Sequence, residues 1–307
     1  MENKVLIFGH KNPDTDSICA SLVEEKFDSN NGWNVEAVRL GNVNKETQFV
    51  LNYLGIDTPR LIEKVEENQS VILVDHNEFS QSVDNIKDAK IEMVVDHHRI
   101  CNFETAEPLY YLAKPYGCTC TILFEEFKNA NMPIEKKEAT LMLSSIISDT
   151  LLFKSPTCTK YDKDAATELA KIAEIDIDSY GMDMLKAGTD LSDFTFEELI
   201  NIDSKEFIVG DFKMQIAQVN TASIEDVLKN QTEIEQEMQK VISANNSHLF
   251  VFLITDIINS NSEAIVLGNR IDVFEKAFNV TLANNTALLN GVVSRKKQVV
   301  PVLNNNI

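Results

Sequence analysis

The chain has 307 residues, of which 44% are hydrophobic and 25% are charged, fractions typical of a soluble globular protein with one or two domains. Its net charge of −20 disfavours a role in gripping long DNA or RNA, because the surface would repel their phosphates. No apolar run reaches the roughly 20 residues that a membrane span needs. The five cysteines, an odd number, fit a reducing compartment, and the N-terminal run VLIFGH is typical of a first strand, so we expect a cytoplasmic protein.

In the first half of the chain, apolar runs typical of strands alternate with helical patterns. Strands are predicted over residues 5–10, 34–40, 71–76, 91–98 and 110–115. Helices are predicted over residues 16–27, 45–56, 118–130, 135–148 and 162–173. This alternation indicates βαβ units and a mostly parallel sheet with helices on both faces.

A small, polar and acidic stretch, GTDLSDFTF at 188–196, interrupts the pattern. We therefore expect an N-terminal domain over 1–188, a linker over 189–195 and a smaller mixed α/β domain over 196–307. In the second domain, strand-like runs flank Gly210-Asp211 and predict a hairpin. Further elements are predicted in chain order: a helical stretch over 223–244, strands over 248–256 and 263–268, and a short helix over 272–278.

Four of the five histidines follow predicted strands directly, in the segments FGH (8–10), VDH (74–76) and VDHH (95–98). Ligands of an open parallel sheet bind outside the carboxyl ends of its strands, so these side chains are expected at one edge. The segment NPDTDS adds Asp14 and Asp16. Asp149 ends a helical run, and it reaches the same edge if that helix terminates there.

Each of these segments has a simpler interpretation when it is taken singly, because aspartate commonly caps helices and follows strands. Their conjunction indicates a metal site, since crowded carboxylates repel one another and divalent cations remove that penalty. Mixed oxygen and nitrogen ligands suit Mn, Co, Fe or Zn better than Ca. Cys118 and Cys120 are expected in the first turn of a helix and not as ligands. Two metals about 4 Å apart suit an in-line displacement at phosphorus.

The second half of the chain supplies a basic cluster in an otherwise acidic protein. Arg295, Lys296 and Lys297 lie in the segment VVSRKKQVVP, and Lys205 is a further candidate cation. A basic run is usually a solvated turn. Here apolar residues border it on both sides, and arginine and lysine neutralise phosphate oxygens.

Six segments of the chain resemble the family II inorganic pyrophosphatases, the manganese- or cobalt-dependent members of the DHH phosphoesterase superfamily. These segments are GHKNPDTDS (9–17), VDHNE (74–78), VVDHHRI (94–100), SDTLLFKSPTCT (148–159), MLKAGTDLS (184–192) and SRKKQVVP (294–301). The resemblance covers almost the whole chain. DHH alone indicates the superfamily, and SRKKQ together with the N-terminal motifs narrows it to pyrophosphatases. The length leaves no room for an inserted regulatory domain.

The resemblance implies a role for each matching residue. The implied metal ligands are His10 and Asp14 on one ion, Asp16 and His97 on the other, and Asp75 and Asp149 bridging both. The implied phosphate-binding residues are His98, Lys205, Arg295 and Lys296. Asp75, Asp149 and His98 would be the catalytic residues, with His98 placed to protonate or polarise. Asp96 and His76 are expected to orient ligands by hydrogen bonds. Lys114 departs from the family pattern, which has an acid before the proline, but it lies outside the ligand set.

The activity implied by the resemblance is the hydrolysis of pyrophosphate to two phosphates by a bridging water activated by two metals. The cofactors would be two Mn²⁺ (or Co²⁺) ions per subunit, with Mg²⁺ accompanying the substrate. The active site would lie in the cleft between the N-terminal domain and a C-terminal domain of DHHA2 type. A homodimer through the N-terminal domain is also implied, with no nucleic-acid or membrane partner.

Two alternatives remain at the level of sequence. The first is another enzyme of the same superfamily, an exopolyphosphatase or a phosphodiesterase that acts on short oligonucleotides or cyclic dinucleotides. The nuclease-type members resemble one another in a C-terminal motif rich in glycine and histidine, and the second half of this chain has His248 alone. A non-catalytic protein that senses metal or phosphate would be expected to lack a ligand, and all six are present.

Overall fold

The computed structural model describes residues 4–307, and the chain divides into two compact units, Met1–Gly188 and Thr189–Ile307. The first residues of the predicted linker pack within the second unit. The Thr189 hydroxyl accepts a hydrogen bond from Ala222 N (2.9 Å), and Leu191 contacts an apolar core of that unit.

The first unit is built on a six-stranded sheet in which every neighbouring pair is parallel. Its strands are β1 (Val5–Phe8), β2 (Val35–Arg39), β3 (Arg60–Leu61), β4 (Ser70–Val74), β5 (Lys90–Asp96) and β6 (Tyr110–Ala113). Their order in space is β3-β2-β1-β4-β5-β6, which reverses direction between β1 and β4. This reversal is the topological switch point, where open α/β sheets bind ligands. The predicted parallel sheet is confirmed; β3, which is two residues long, was not predicted.

The helices of the first unit are α1 (Thr15–Asn30), α2 (Lys45–Leu54), α3 (Thr119–Asn129), α4 (Lys136–Thr150), α5 (Lys160–Ala173) and α6 (Ile177–Gly188). Of these, α1 contacts β1 and β2, and α3 contacts β5. On the other face, Phe8 and Leu73 pack with Val83 and Ile86, which belong to the segment that holds the short 3-10 helices 79–81 and 86–88. Helices on both faces are thus confirmed, and α6 is an addition to the predicted set. Within residues 4–307, no helix is both long and apolar enough to cross a membrane.

The three strands that lead to the histidines are shorter than predicted. The predicted strands extended to residues 10, 76 and 98, whereas β1, β4 and β5 end at Phe8, Val74 and Asp96. Asp75 explains one of these endings, because its φ of 59° is left-handed and cannot continue a β-ladder. The polar residues therefore leave the sheet at its carboxyl edge.

The second unit is built on a five-stranded mixed sheet with the order β11-β10-β9-β8-β7. Its strands are β7 (Ser204–Val209), β8 (Phe212–Thr221), β9 (Leu249–Asp256), β10 (Asn261–Gly268) and β11 (Thr286–Leu289). Its helices are α7 (Phe196–Leu199), α8 (Ile224–Leu228), α9 (Gln231–Asn245), α10 (Ile271–Phe278) and α11 (Val300–Asn304). Only β8 and β9 pair in parallel; the other pairs are antiparallel.

The central strand β9 is buried along its whole length, and its alternate residues enter two separate cores. One core contains Phe274 of α10 and Leu303 of α11, and the other contains Ile234 and Met238 of α9. The predicted hairpin at Gly210-Asp211 is confirmed by the antiparallel register of β7 and β8. The helical stretch predicted over 223–244 is divided into α8 and α9, with the low-propensity residue Asn230 directly before α9.

The Asp162 carboxylate fixes the segment that leads into α3. It is completely buried at the start of α5, where it accepts hydrogen bonds from Gly117 N (3.0 Å), the Thr121 hydroxyl (2.6 Å) and Thr159 N (2.6 Å). Buried donors that lose such an acceptor incur a desolvation penalty of about 1–3 kcal/mol each. This one carboxylate therefore joins α5 to the loop before α3.

We expect Asp162→Ala to lower the free energy of unfolding by at least about 3 kcal/mol, because several buried donors lose their acceptor together. Asp164→Ala is the matched control, since Asp164 pairs with Lys160 on the surface and its loss should cost less than about 1 kcal/mol. Urea denaturation measures both changes. Equal losses in the two variants would contradict the assigned role of Asp162.

Candidate metal centre

The carboxyl ends of β1, β4 and β5 bring three of the predicted ligands together. Asp75 follows β4, and its two oxygens lie between two imidazoles: Oδ2 is 3.5 Å from His10 Nε2, and Oδ1 is 3.4 Å from His97 Nε2. Because β4 is the neighbour of both β1 and β5, its end is the one position from which a short side chain meets residues from both sides.

The turn between β1 and α1 supplies two further carboxylates. Asp14 is the N-cap of α1, where its Oδ1 accepts from Ser17 N (3.0 Å), and its Oδ2 lies 3.4 Å from His10 Nε2. The simple interpretation of Asp14 as a helix cap is therefore correct, and it is compatible with ligation because one oxygen remains directed at the histidine. Asp16 is completely buried in the first turn of α1.

Asp149 reaches the cluster because α4 stops directly after it. The helix ends at Thr150, and the next three residues, Leu151, Leu152 and Phe153, all have positive φ values (47°, 51° and 65°). Left-handed conformations cost about 1–2 kcal/mol per non-glycine residue, so this turn is strained. It leaves Asp149 Oδ2 at 3.7 Å from His97 Nε2.

The cluster contains two overlapping sets of potential ligand atoms, each set lying within 4.8 Å. One set is formed by His10, Asp14 and Asp75, and the other by Asp16, Asp75, His97 and Asp149. Asp75 is shared by both sets, and its bridging of two ions stays a prediction. Asp149 falls in the second set alone, so its bridging of both ions stays a prediction. A third group joins His98 to Asp75 and His97.

Backbone carbonyls orient both histidines. His10 Nδ1 lies 2.7 Å from Lys11 O, and His97 Nδ1 lies 3.0 Å from Tyr116 O. A carbonyl oxygen accepts only, so Nδ1 carries the proton in each ring and Nε2 is the nitrogen that faces the carboxylates. This arrangement is typical of histidines that bind a metal through Nε2.

The pKa values show how strongly these groups interact. Burial opposes protonation of His10 and His97. Hydrogen bonds to carboxylates, from His10 to Asp14 and from His97 to Asp75, act in the opposite direction. Together with the charge of further nearby carboxylates, they raise the pKa of each histidine to about 9. Burial and the charge of Asp16 raise the pKa of Asp75 to about 7 and that of Asp149 well above its usual range. Without bound cations, protons must therefore balance the negative charge of the clustered carboxylates. Bound divalent ions would replace these protons.

Asp16 is the exception among the carboxylates. Burial opposes its ionisation, but the charge of His97 and hydrogen bonds from Ser145 and Thr119 hold its pKa at about 2. Its Oδ2 accepts from Thr119 N (2.7 Å), and its Oδ1 accepts from the hydroxyl of Ser145 (2.5 Å) and the thiol of Cys118 (3.2 Å). Cys118 is thus a donor to a predicted ligand and belongs to none of the sets of potential ligand atoms.

The hydroxyls around the carboxylates were missed by the sequence analysis. Ser17 Oγ donates to Asp75 Oδ2 (2.9 Å), and Thr119 Oγ1 donates to Asp75 Oδ1 (3.1 Å). Glu46, on α2, accepts from Thr15 Oγ1 (2.7 Å) and from the Ser148 hydroxyl, so it joins the beginning of α1 to the end of α4. Ser17 lies within the GHKNPDTDS motif. Thr119 carries no such signal, because it meets Asp75 across 44 residues.

Asp96 and His76 differ in how far they fit their expected orienting role. The Asp96 carboxylate is buried; it accepts from Asn77 Nδ2 (2.6 Å) and holds His98 Nδ1 at 2.9 Å, which raises the pKa of His98. His98 remains half exposed. His76 Nδ1 lies 2.9 Å from Val74 O, and burial lowers the pKa of His76 to about 4. Among the described residues, His76 forms no hydrogen bond with any of the six predicted ligands.

The predicted phosphate-binding cations lie in the second unit. Arg295 is buried, its Nη2 lies 2.8 Å from Asp203 Oδ1, and its Nη1 donates to the Asp203 carbonyl and to Ile216 O (3.3 Å). Ile216 is the register partner of Lys205, so Arg295 contacts the backbone of the β8 residue that pairs with Lys205. Lys205 and Lys296 are exposed and form no ion pair with any residue in 4–307.

We expect Gly9→Ala to weaken Mn²⁺ binding by about 10- to 100-fold, the usual effect of disturbing groups that orient ligands. A Cβ at Gly9 would lie 2.5 Å from Ser17 Cβ and 2.8 Å from Ser17 Cα, which would displace the donor to Asp75. Calorimetric titration of the chelator-stripped protein measures the affinity. Gly55→Ala is the control, because its Cβ meets no atom within 4 Å and only its positive φ is disfavoured. Unchanged Mn²⁺ affinity in Gly9→Ala would contradict the role given to this contact.

Comparison with known proteins agrees with the site. Two family models match: the DHH family, N-terminal domain, over residues 4–146 and the DHHA2 domain over residues 182–306. A probable manganese-dependent inorganic pyrophosphatase of Bacillus velezensis is 58% identical over 99% of both chains. The manganese-dependent inorganic pyrophosphatase of Bacillus subtilis is 58% identical, over 98% of this chain and 97% of that one. Among solved structures, the chain is similar to the putative family II inorganic pyrophosphatase of Methanococcus jannaschii. The two chains are 42% identical, and they align over 98% of each with a TM-score of 0.61. This chain therefore belongs to the family II inorganic pyrophosphatases, with an N-terminal DHH domain and a C-terminal DHHA2 domain.

Proposed function

We propose that this protein hydrolyses inorganic pyrophosphate to two phosphates with the help of two Mn²⁺ ions, for which Co²⁺ is an alternative. The observation that carries the proposal is the position of Asp75 between two sets of nitrogen and oxygen ligands, in a chain 58% identical to proteins named manganese-dependent inorganic pyrophosphatases. The donor set fits these ions, because imidazole and carboxylate suit Mn and Co, and no thiol takes part.

In this proposal His10 and Asp14 would hold one ion, Asp16 and His97 would hold the other, and Asp75 and Asp149 would be shared by both. When bound, the ions supply Lewis acidity toward the phosphoryl oxygens and lower the pKa of bound water. The support from this chain is that both Nε2 atoms are directed at the carboxylates by hydrogen bonds on Nδ1. The hydroxyls of Ser17 and Thr119 restrain the shared carboxylate in the same way.

His98, Lys205, Arg295 and Lys296 bind the phosphates, and Mg²⁺ accompanies the substrate. His98 fits this role because it is half exposed and its pKa is raised by Asp96, so it is a cation or proton donor close to Asp75. Lys205 and Lys296 fit it because they are exposed positive charges in an acidic protein. Arg295 is fixed by Asp203, so we propose that it presents a guanidinium of restricted orientation to a phosphate.

The family resemblance also supports a homodimer formed through the N-terminal domain and a location in the cytoplasm. All five cysteines are free, which agrees with a reducing compartment.

The function is tested by stripping the protein with a chelator and reconstituting it with Mn²⁺, Co²⁺, Mg²⁺ or Zn²⁺. Phosphate release is then measured from pyrophosphate, tripolyphosphate, ATP and a dinucleotide. We expect Mn²⁺ or Co²⁺ to restore hydrolysis, with pyrophosphate as the best substrate. Failure with every metal would overturn the proposal, and a preference for tripolyphosphate would assign the protein as a polyphosphatase.

We expect Asp149→Asn to lower kcat by more than about 100-fold, beyond the range for residues that only orient ligands. The amide has the same shape, so the fold should persist, and circular dichroism with thermal unfolding verifies this. Asp57→Asn, at an exposed position in the first unit, is the charge-matched control. Hydrolysis near the wild-type rate in Asp149→Asn would remove this residue from the site.

A further inference from the structure

The first unit contains a second acidic cavity, which the proposed reaction does not use. Its volume is about 280 Å³, and its lining comes from α1, β5, β6, α3 and the loop after α1. Glu24, Asp28 and Glu126 supply carboxylates, while Phe27, Trp33 and Tyr110 supply aromatic surface. Glu24 lies eight residues beyond Asp16 on α1, which is about 12 Å along the helix, so this cavity is separate from the metal centre.

Two carboxylates in this cavity each have one buried oxygen without a hydrogen-bond partner. Glu24 and Asp28 are each about 2% exposed, and Glu24 Oε2 and Asp28 Oδ2 accept no hydrogen bond. They lie four positions apart on one helix, so both face the same side. Glu126 differs, because it accepts from Tyr110 Oη (3.3 Å) and Asn129 Nδ2 (3.4 Å).

No positive side chain lines the cavity to balance these acids. Burial, together with the charge of Asp28, raises the pKa of Glu24 well above its usual range. Burial also raises the pKa of Asp28 to about 6. Buried carboxylates are stable when they are paired, and an unpaired one is costly. The missing partner is therefore a cation or a proton.

The lining favours an organic cation over a metal ion. Within residues 4–307, three clusters of His and Asp side chains are close enough to hold a metal ion. None of these clusters contains Glu24, Asp28 or Glu126. Trp33 and Tyr110 are 41% and 51% exposed, and they provide aromatic faces that attract an ammonium or guanidinium. Phe27 and Leu123 provide apolar surface for an aliphatic stem. The volume approaches the roughly 300 Å³ at which small-molecule sites begin.

We propose that this cavity binds a small organic cation, an ammonium or guanidinium group on a short aliphatic stem, through the carboxylates of Glu24 and Asp28. The same chemistry is available from a free amine and from a lysine or arginine side chain of another protein. The proposal does not depend on the pyrophosphatase reaction, because none of the cavity residues is assigned to it.

Trp33 makes the site directly observable, because it is the only tryptophan of the chain and it lines the cavity. The full-length protein, kept saturated with Mn²⁺ so that the metal centre does not bind amines, is titrated while tryptophan fluorescence is followed. The probes are putrescine, agmatine and a blocked lysine peptide, and butanediol is the uncharged analogue of putrescine. Sodium chloride at equal ionic strength controls for screening.

We expect a saturable change in fluorescence with putrescine or agmatine and none with butanediol. Glu24→Gln/Asp28→Asn should weaken the binding by at least about tenfold, since charge-assisted hydrogen bonds are lost. Glu66→Gln/Asp57→Asn, at exposed positions, is the control with the same charge change and should bind as the wild type does. Tighter binding of the peptide than of the free amines would identify a protein side chain as the source of the cation.

The proposal is overturned if no probe binds, which would leave a proton shared by the two carboxyls as their partner. It is equally overturned if binding survives in Glu24→Gln/Asp28→Asn, or if Mg²⁺ produces the same saturable change. Because the readout is fluorescence at Trp33, the result does not depend on whether the protein hydrolyses pyrophosphate. Circular dichroism of both double variants verifies that they are folded.

Discussion

The buried carboxylate of Asp75 is the group on which the rest of the candidate site depends. It stands at the end of β4, where the strand order reverses, and it is the one residue shared by both main sets of ligand atoms. Its left-handed backbone turns the chain out of the ladder at this point. The hydroxyls of Ser17 and Thr119 then restrain its two oxygens separately, so that each oxygen faces one imidazole. A carboxylate held in this way is suited to joining two cations.

Negative charge is concentrated here far beyond what an uncompensated protein interior tolerates. The protein reduces the penalty locally in two ways. The charge of His97 and the surrounding hydrogen-bond donors hold the pKa of Asp16 low, whereas burial and the neighbouring carboxylate charge raise the pKa values of Asp75 and Asp149. The raised pKa values of His10 and His97 have the same origin. Bound divalent cations would satisfy all of these groups at once, which is why the proposed metals and the observed electrostatics belong together.

The cavity at Glu24 and Asp28 also contains buried carboxylates, but their surroundings differ from those of the candidate metal centre. Glu24 and Asp28 each have a buried oxygen that accepts no hydrogen bond, and no histidine lines the cavity. Aromatic and aliphatic side chains fill the remaining lining, so the cavity differs from the metal centre in the size and hydrophobicity of the cation that it fits. One helix, α1, thus carries a group of acids near each end, and the two groups are chemically distinct.

The sequence by itself determined the parallel sheet and the residue types of the candidate metal centre, because strand hydrophobicity and parallel topology together direct His10, Asp75 and His97 to one edge. The strands β1, β4 and β5 nevertheless end two residues earlier than predicted. The same local patterns located the β7–β8 hairpin, the helices α1 to α5 and the helices α8 to α10, but not α6, α7 and α11. Other features depend on contacts between residues that are distant in the chain. Asp149 lies in the last turn of α4, which is followed by three consecutive left-handed residues, and leucine and phenylalanine carry no signal for that conformation. The hydroxyls of Thr119 and Ser145, the burial of Arg295 against Asp203 and the unpaired acids of α1 likewise arise from packing, which local sequence patterns do not encode.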